Sequence, residues 1–214
     1  MTIAILADDT LKQEWLQHQF PEGIETIWVD SVSSLRMIDA DLYVDLLFRN
    51  DAERNEQLAR LLPKPVIVNA VEHTIADIRQ PFIRINGWPT LLKREIAEIV
   101  LPSSVTEDSV KSIFASLNWK YQLAPDVPGM ITARVLAMII NEAYFTLGAE
   151  VSSREEIDIA MKLGTNYPMG PFEWSEQIGL HRVFALLQQL QTTDVRYAPA
   201  PALETAVDTK PATL

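Results

Sequence analysis

The 214-residue sequence predicts an α/β domain built on a parallel sheet, followed by an all-helical domain. Three observations carry this expectation. Short apolar runs alternate with helical stretches up to about residue 124, the pattern of strands joined by crossover helices. From about residue 128 to 190 only helical periods remain. From Thr192 onward the chain turns rich in Ala, Pro and Thr and loses the helical period. The expected divisions are therefore 1–124, 125–191 and an extended tail, 192–214.

The elements follow in order. Residues 2–7 read as a buried strand and 11–20 as a helix. Residues 25–29 form a second strand that ends at Asp30, and 41–48 a third, followed by a polar helix over 51–62. Residues 65–70 and 81–86 are strands that open on Pro65 and Pro81, a position where the missing N–H is tolerated. Helices are expected over 91–101 and 106–118, and a last strand over 121–124. The stretch 130–147 is apolar almost all round, interrupted by Arg134, Asn141 and Glu142, so it belongs at a domain centre with other helices around it. Ser153 and Glu156 form a capping box for a helix running to about residue 163, with Gly164 as its stop. Pro171 suits the first turn of a third helix, and 180–190 is an amphipathic fourth.

Composition excludes several classes of function. The absence of cysteine removes disulfides, thiolate nucleophiles and cysteine metal sites, and it points to a cytoplasmic address. His18, His73 and His181 lie far apart, so no metal site is expected. A net charge of −11 would repel a phosphate backbone, which excludes general nucleic-acid binding. No secretory segment and no transmembrane run is expected. There are seven glycines, and Gly23 alone precedes Gly87, so the first 86 residues contain no glycine-rich phosphate loop.

The second half carries an ordered set of motifs. Asp126-Val127-Pro128-Gly129-Met130-Ile131 is followed by Asn141-Glu142-Ala143, then by Glu156-Ile157-Asp158-Ile159-Ala160-Met161-Lys162-Leu163-Gly164. Next come Tyr167-Pro168-Met169-Gly170-Pro171-Phe172-Glu173, Ile178-Gly179-Leu180 and Arg196-Tyr197-Ala198-Pro199-Ala200-Pro201-Ala202-Leu203. This succession resembles the C-terminal domain of the NAD-dependent 3-hydroxyacyl-CoA dehydrogenases. The resemblance implies a Rossmann-like N-terminal domain, here shortened and degenerate, and a homodimer formed through the helical domain. The apolar 130–147 helix, with few helices to cover it, points to the same dimer.

The departures from that family bear on chemistry. Its G-x-G-x-x-G turn becomes Ala7-Asp8-Asp9-Thr10-Leu11-Lys12, with no glycine and with two carboxylates where the resemblance places a pyrophosphate. Asp30 matches the family's acidic residue for the adenosine ribose, and it equally suits a strand-end aspartate capping the next turn. The family's histidine base, held by a glutamate, aligns with Ile85, or after a shift of one or two with Arg84 or Ile83. Glu98 matches the glutamate if one residue is inserted. The family's serine becomes Val71 and its asparagine Ala133. His73 is close in sequence but reads as solvated surface.

The resemblance and its departures together imply a 3-hydroxyacyl-CoA dehydrogenase-like protein without catalysis and without a cofactor, having an acyl-CoA-binding or regulatory role. The alternative is an active NAD-dependent 3-hydroxyacyl-CoA dehydrogenase of fatty-acid metabolism with an atypical site. A structural oligomer module is the third reading.

Overall fold

The computed structural model describes residues 1–209, so the last five residues of the expected tail lie outside the description. The chain divides into two compact units, Met1–Met130 and Ile131 onward.

The first unit is a seven-stranded sheet with helices on both faces. Its strands are β1 (Thr2–Leu6), β2 (Glu25–Val29), β3 (Leu42–Asp45), β4 (Val66–Asn69), β5 (Ile83–Ile85), β6 (Ile96–Val100) and β7 (Lys120–Leu123). They lie in the order β2-β1-β3-β4-β5-β6-β7. The first five run parallel, β6 pairs antiparallel with β5, and β7 runs parallel to β6. Alternation along each strand sends side chains to opposite faces. Ile3, Ile5, Leu42 and Val44 meet Leu11 and Trp15 of α1 (Asp9–Trp15) and Val110 and Phe114 of α5 (Glu107–Ser116). Ala4, Leu6, Tyr43, Val66 and Val68 meet the other face's helices, α2 (Val32–Leu35), α3 (Ala52–Ala59) and α4 (Ile75–Ile78).

Two expectations for this unit need correction. The helix expected over 91–101 is a turn followed by the strand β6 at Ile96–Val100. Apolar residues at helical spacing suggested a helix, but a short run of this kind is ambiguous, and pairing with β5 on one side and β7 on the other decides it. The unit also ends later than residue 124. Asp126 accepts from the Arg84 guanidinium and from the Ile75 N–H, and the Gly129 N–H donates to the Val71 carbonyl. These bonds hold residues 126–129 to the sheet.

The second unit is helical: α6 (Thr132–Gly148), α7 (Arg154–Thr165), α8 (Pro171–Ile178), α9 (Leu180–Gln191) and α10 (Pro201–Thr209). Helices α8, α9 and α10 pack on α6, which buries Leu136, Ala137, Ile140 and Tyr144. The Ser153 capping box forms as expected, and Pro171 opens α8. Helix α7 runs past Gly164, because Asn166 takes the left-handed capping conformation at φ 57°. The Asp158 carboxylate accepts from the Phe172 N–H at 2.8 Å and the Glu173 N–H at 3.2 Å, two of the free donors at the start of α8. A Cβ on Gly170 would fall 2.2 Å from that carboxylate, so this glycine is required by close approach.

The tail is not extended as expected. A 3-10 turn, Val195–Tyr197, leads into α10. Pro201 fits a first helical turn, and Leu203 and Val207, four apart, bury one face. Asn141 of α6 ties the tail down. Its amide donates to the Ala198 carbonyl at 2.9 Å and its oxygen accepts from the Ala200 N–H at 2.8 Å. Asn141→Leu should therefore destabilise the protein by about 3 kcal/mol, since two backbone groups lose their partners. The urea midpoint measures this, and an unchanged midpoint would refute the anchoring role.

Candidate functional site

In open α/β sheets the ligand crevice lies outside the carboxyl ends of the strands, where the strand order reverses. Here that point falls between β1 and β3, since the chain leaves β1 for β2 on one side and returns to β3 on the other. A cavity of about 410 Å³ opens there, lined among others by Leu6, Asp30, Ser31, Leu47, Arg49 and Arg54.

The turn that should cradle a pyrophosphate is used internally. The Asp8 side chain is the N-cap of α1 and accepts from the Leu11 N–H at 2.8 Å. A carboxylate thus occupies the helix terminus that favours an anion. No residue from 7 to 12 has a positive φ, so no glycine-like approach of the backbone is present. The Lys12 ammonium sits 5.2 Å from the centre of the Trp28 ring. These residues do not fit a dinucleotide pyrophosphate. Asp30 is exposed at the end of β2 and accepts from the Ser34 hydroxyl at 3.0 Å, while Ser31 caps α2.

Sequence reasoning missed an ion pair made by Arg54 of the cavity wall. Asp45, fully buried at the end of β3, accepts two bonds from Arg54, each at 2.7 Å. Burial pushes the Asp45 carboxyl up, and the Arg54 guanidinium works against that shift. An aspartate inside the apolar run 41–48 was the signal available.

The second cluster lies at β5 and β6. Glu98 is buried on β6, and its Oε2 accepts from the Asn86 amide at 2.8 Å. The residue that Glu98 holds is therefore Asn86, and Ile85 is not in the site: its side chain is in the sheet core. Beside this pair, the Asn69 amide joins the Leu46 and Gly87 carbonyls, and its oxygen accepts from the Gly87 N–H. Trp88 donates to Glu72 at 2.9 Å. Val71 is buried at the end of β4, where an apolar side chain offers no hydroxyl. Ala133 is buried in α6 of the helical unit. Asp30 and Glu98 are not brought together: five strand spacings separate β2 from β6, about 24 Å at ~4.8 Å each.

Comparison with known proteins agrees with this architecture. Residues 129–213 match the family model described as 3-hydroxyacyl-CoA dehydrogenase, C-terminal domain. A 3-hydroxyadipyl-CoA dehydrogenase from Escherichia coli is 35% identical over 160 residues, covering 74% of this chain and 30% of the relative. A 3-hydroxybutyryl-CoA dehydrogenase from Bradyrhizobium diazoefficiens is 29% identical over 183 residues, covering 78% of this chain and 62% of the relative. The chain thus spans less than two thirds of the length of either. The crystal structure of an (S)-3-hydroxybutyryl-CoA dehydrogenase from Ralstonia eutropha shares the fold, with a TM-score of 0.73 at 20% identity over 97% of this chain and 93% of that one.

Because Asp8 is a cap, Asp8→Ala should lower stability by about 1 kcal/mol. For a protein of this size the melting temperature should fall by about 2–4 °C. An unchanged melting temperature would mean that the carboxylate is free to face a ligand.

Proposed function

We propose that this chain, which belongs to the 3-hydroxyacyl-CoA dehydrogenase family, binds an acyl-CoA without oxidising or reducing it and acts as a non-catalytic or regulatory relative of those enzymes. One observation carries the reading: the side chain held by Glu98 is the Asn86 amide. A general base must take a proton from the substrate within hydrogen-bond reach, and an amide has no basic lone pair near neutral pH. The capped terminus of α1 supports the same reading from a separate place, and NAD is not a cofactor under it. With no cysteine, the chain suits the cytoplasm. Among the described residues no helix is long and apolar enough to cross a membrane.

A working NAD-dependent dehydrogenase is the second reading, favoured by the cavity that persists where the strand order reverses. Absorbance of NADH at saturating acetoacetyl-CoA separates the two. No turnover is expected, and a rate of about 1–10³ per second would overturn the proposal. Calorimetry should give saturable heat with acetoacetyl-CoA and none with NAD. Absence of heat with the acyl-CoA would leave a structural module. Asn86→His alone should remain inactive: it restores a base normally worth about 10²–10⁴-fold, but Asp8 still caps α1.

The same reading includes a homodimer through the helical unit. Helices α6 and α7 leave Val135, Phe145, Ile159 and Leu163 exposed, Leu163 to 83%. Apolar side chains at these positions suit a partner surface. Light scattering at micromolar concentration should give a dimer mass, and Leu163→Asp should shift it toward monomer. A monomer mass for the unaltered protein would end this part of the proposal.

A further inference from the structure

Strand β2 closes one end of the sheet, and among the described residues no strand lies beyond it. The dinucleotide-binding order 3-2-1-4-5-6 places a further strand at this position. Here the chain leaves β2, passes through the single turn of α2 and enters β3 on the far side of β1, so the outer position stays vacant.

The register shows which backbone groups face that position. The Glu25 N–H donates to the Met1 carbonyl at 3.0 Å, so the backbone groups of Glu25 point at β1. Successive residues of a strand alternate in this respect. Ile27 and Val29 therefore also bond to β1, while Thr26 and Trp28 turn both N–H and C=O outward. Among the described residues neither outward N–H has a partner.

This edge carries none of the usual protection. Natural edge strands are blunted by lysine, proline, a bulge or an inward charge. Residues 26–29, Thr-Ile-Trp-Val, contain none of these side chains, and β2 pairs with β1 over all five residues without a bulge. All four are half-buried, whereas Ile3–Leu6 of β1 are fully buried.

Charge selects the occupant. Glu25 at one end of the strand and Asp30 just past the other are both exposed. A second copy paired antiparallel about Ile27 would set Glu25 against Val29 and leave both acids without a counter-charge. It would also join two chains of net charge −11. Directly opposite residues share a sheet face, so a strand with basic residues at its first and sixth positions meets both acids, in either direction.

We propose that the outer edge of β2 binds an extended basic segment of another protein by strand addition. Thr26 and Trp28 supply the backbone bonds, and Glu25 and Asp30 pair with lysine or arginine at the two ends. The surface is independent of the acyl-CoA reading. The test is amide hydrogen exchange of the ¹⁵N-labelled full chain with the peptide acetyl-Lys-Thr-Val-Thr-Val-Lys-amide. At about ten times Kd, exchange at Thr26 and Trp28 should slow about tenfold, while Ile27 and Val29, already bonded to β1, stay unchanged. Thr26→Pro removes an outward donor that β1 does not use, at an edge that tolerates proline, and should abolish binding while the melting temperature holds. Glu25→Gln, at an exposed position, should weaken binding about threefold, and it decides alone if Thr26→Pro fails to fold. Equal binding of the same peptide with glutamate in place of lysine overturns the proposal. So does unchanged affinity in Glu25→Gln, binding that survives in folded Thr26→Pro, or no slowing at Thr26 and Trp28. Protection there without peptide, growing with protein concentration, would put a second copy on the edge and overturn it equally.

Discussion

A guanidinium with no exposure to solvent constrains the α/β unit more than any other group. Arg84 lies on β5, between β4 and β6. Burial lowers its pKa and Asp126 is the main counterweight. Its remaining donors reach the Ala70, Val71 and Val127 carbonyls. An uncompensated buried charge costs several kcal/mol, so these partners cannot move independently of it. The turn after β4, the start of α4 and the segment at 126–127 are thereby fixed to one another. The segment after β7 belongs to the sheet because Arg84 needs it.

The carboxyl ends of the strands show a common pattern. Polar side chains there are bonded to the protein itself: Asp8 to Leu11, Asp45 to Arg54, Asn69 to Gly87, Asn86 to Glu98. Gly87 makes the third of these possible, since a Cβ there would come within 2.9 Å of Asn69 Cγ. Each bond removes a donor or acceptor from the set that could meet a ligand. The sheet retains the geometry of a nucleotide fold, while these residues bond to one another, with Asn86 Oδ1 left without a partner.

The helical unit is held by the same economy of backbone partners. Asp158 serves the start of α8, Asn141 serves the turn before α10, and Arg134 donates to the Tyr197 hydroxyl at 3.0 Å. Each is a polar residue within a helix that reaches across to a segment lacking regular bonds. Buried backbone groups require such partners, and this explains why polar residues interrupt otherwise apolar helices.

Local signals made much of this legible. Strands β1 to β4, helices α6 to α9, the Ser153 capping box and Pro171 at the start of α8 follow from periodicity and capping, which depend on residues a few positions apart. The missing glycines around Asp8 were visible for the same reason. Other features depended on residues distant in sequence. Strand β6 is a strand because β5 and β7 flank it, and the tail is helical because α6 and α9 accept Leu203 and Val207. Asn86 rather than Ile85 meets Glu98 because the β5–β6 pairing sets which side chain faces which. Asp45 found Arg54, and Arg84 found Asp126, only through packing. Periodicity records which face of an element is apolar; it carries no record of which buried charge or amide another segment will bring within hydrogen-bond reach.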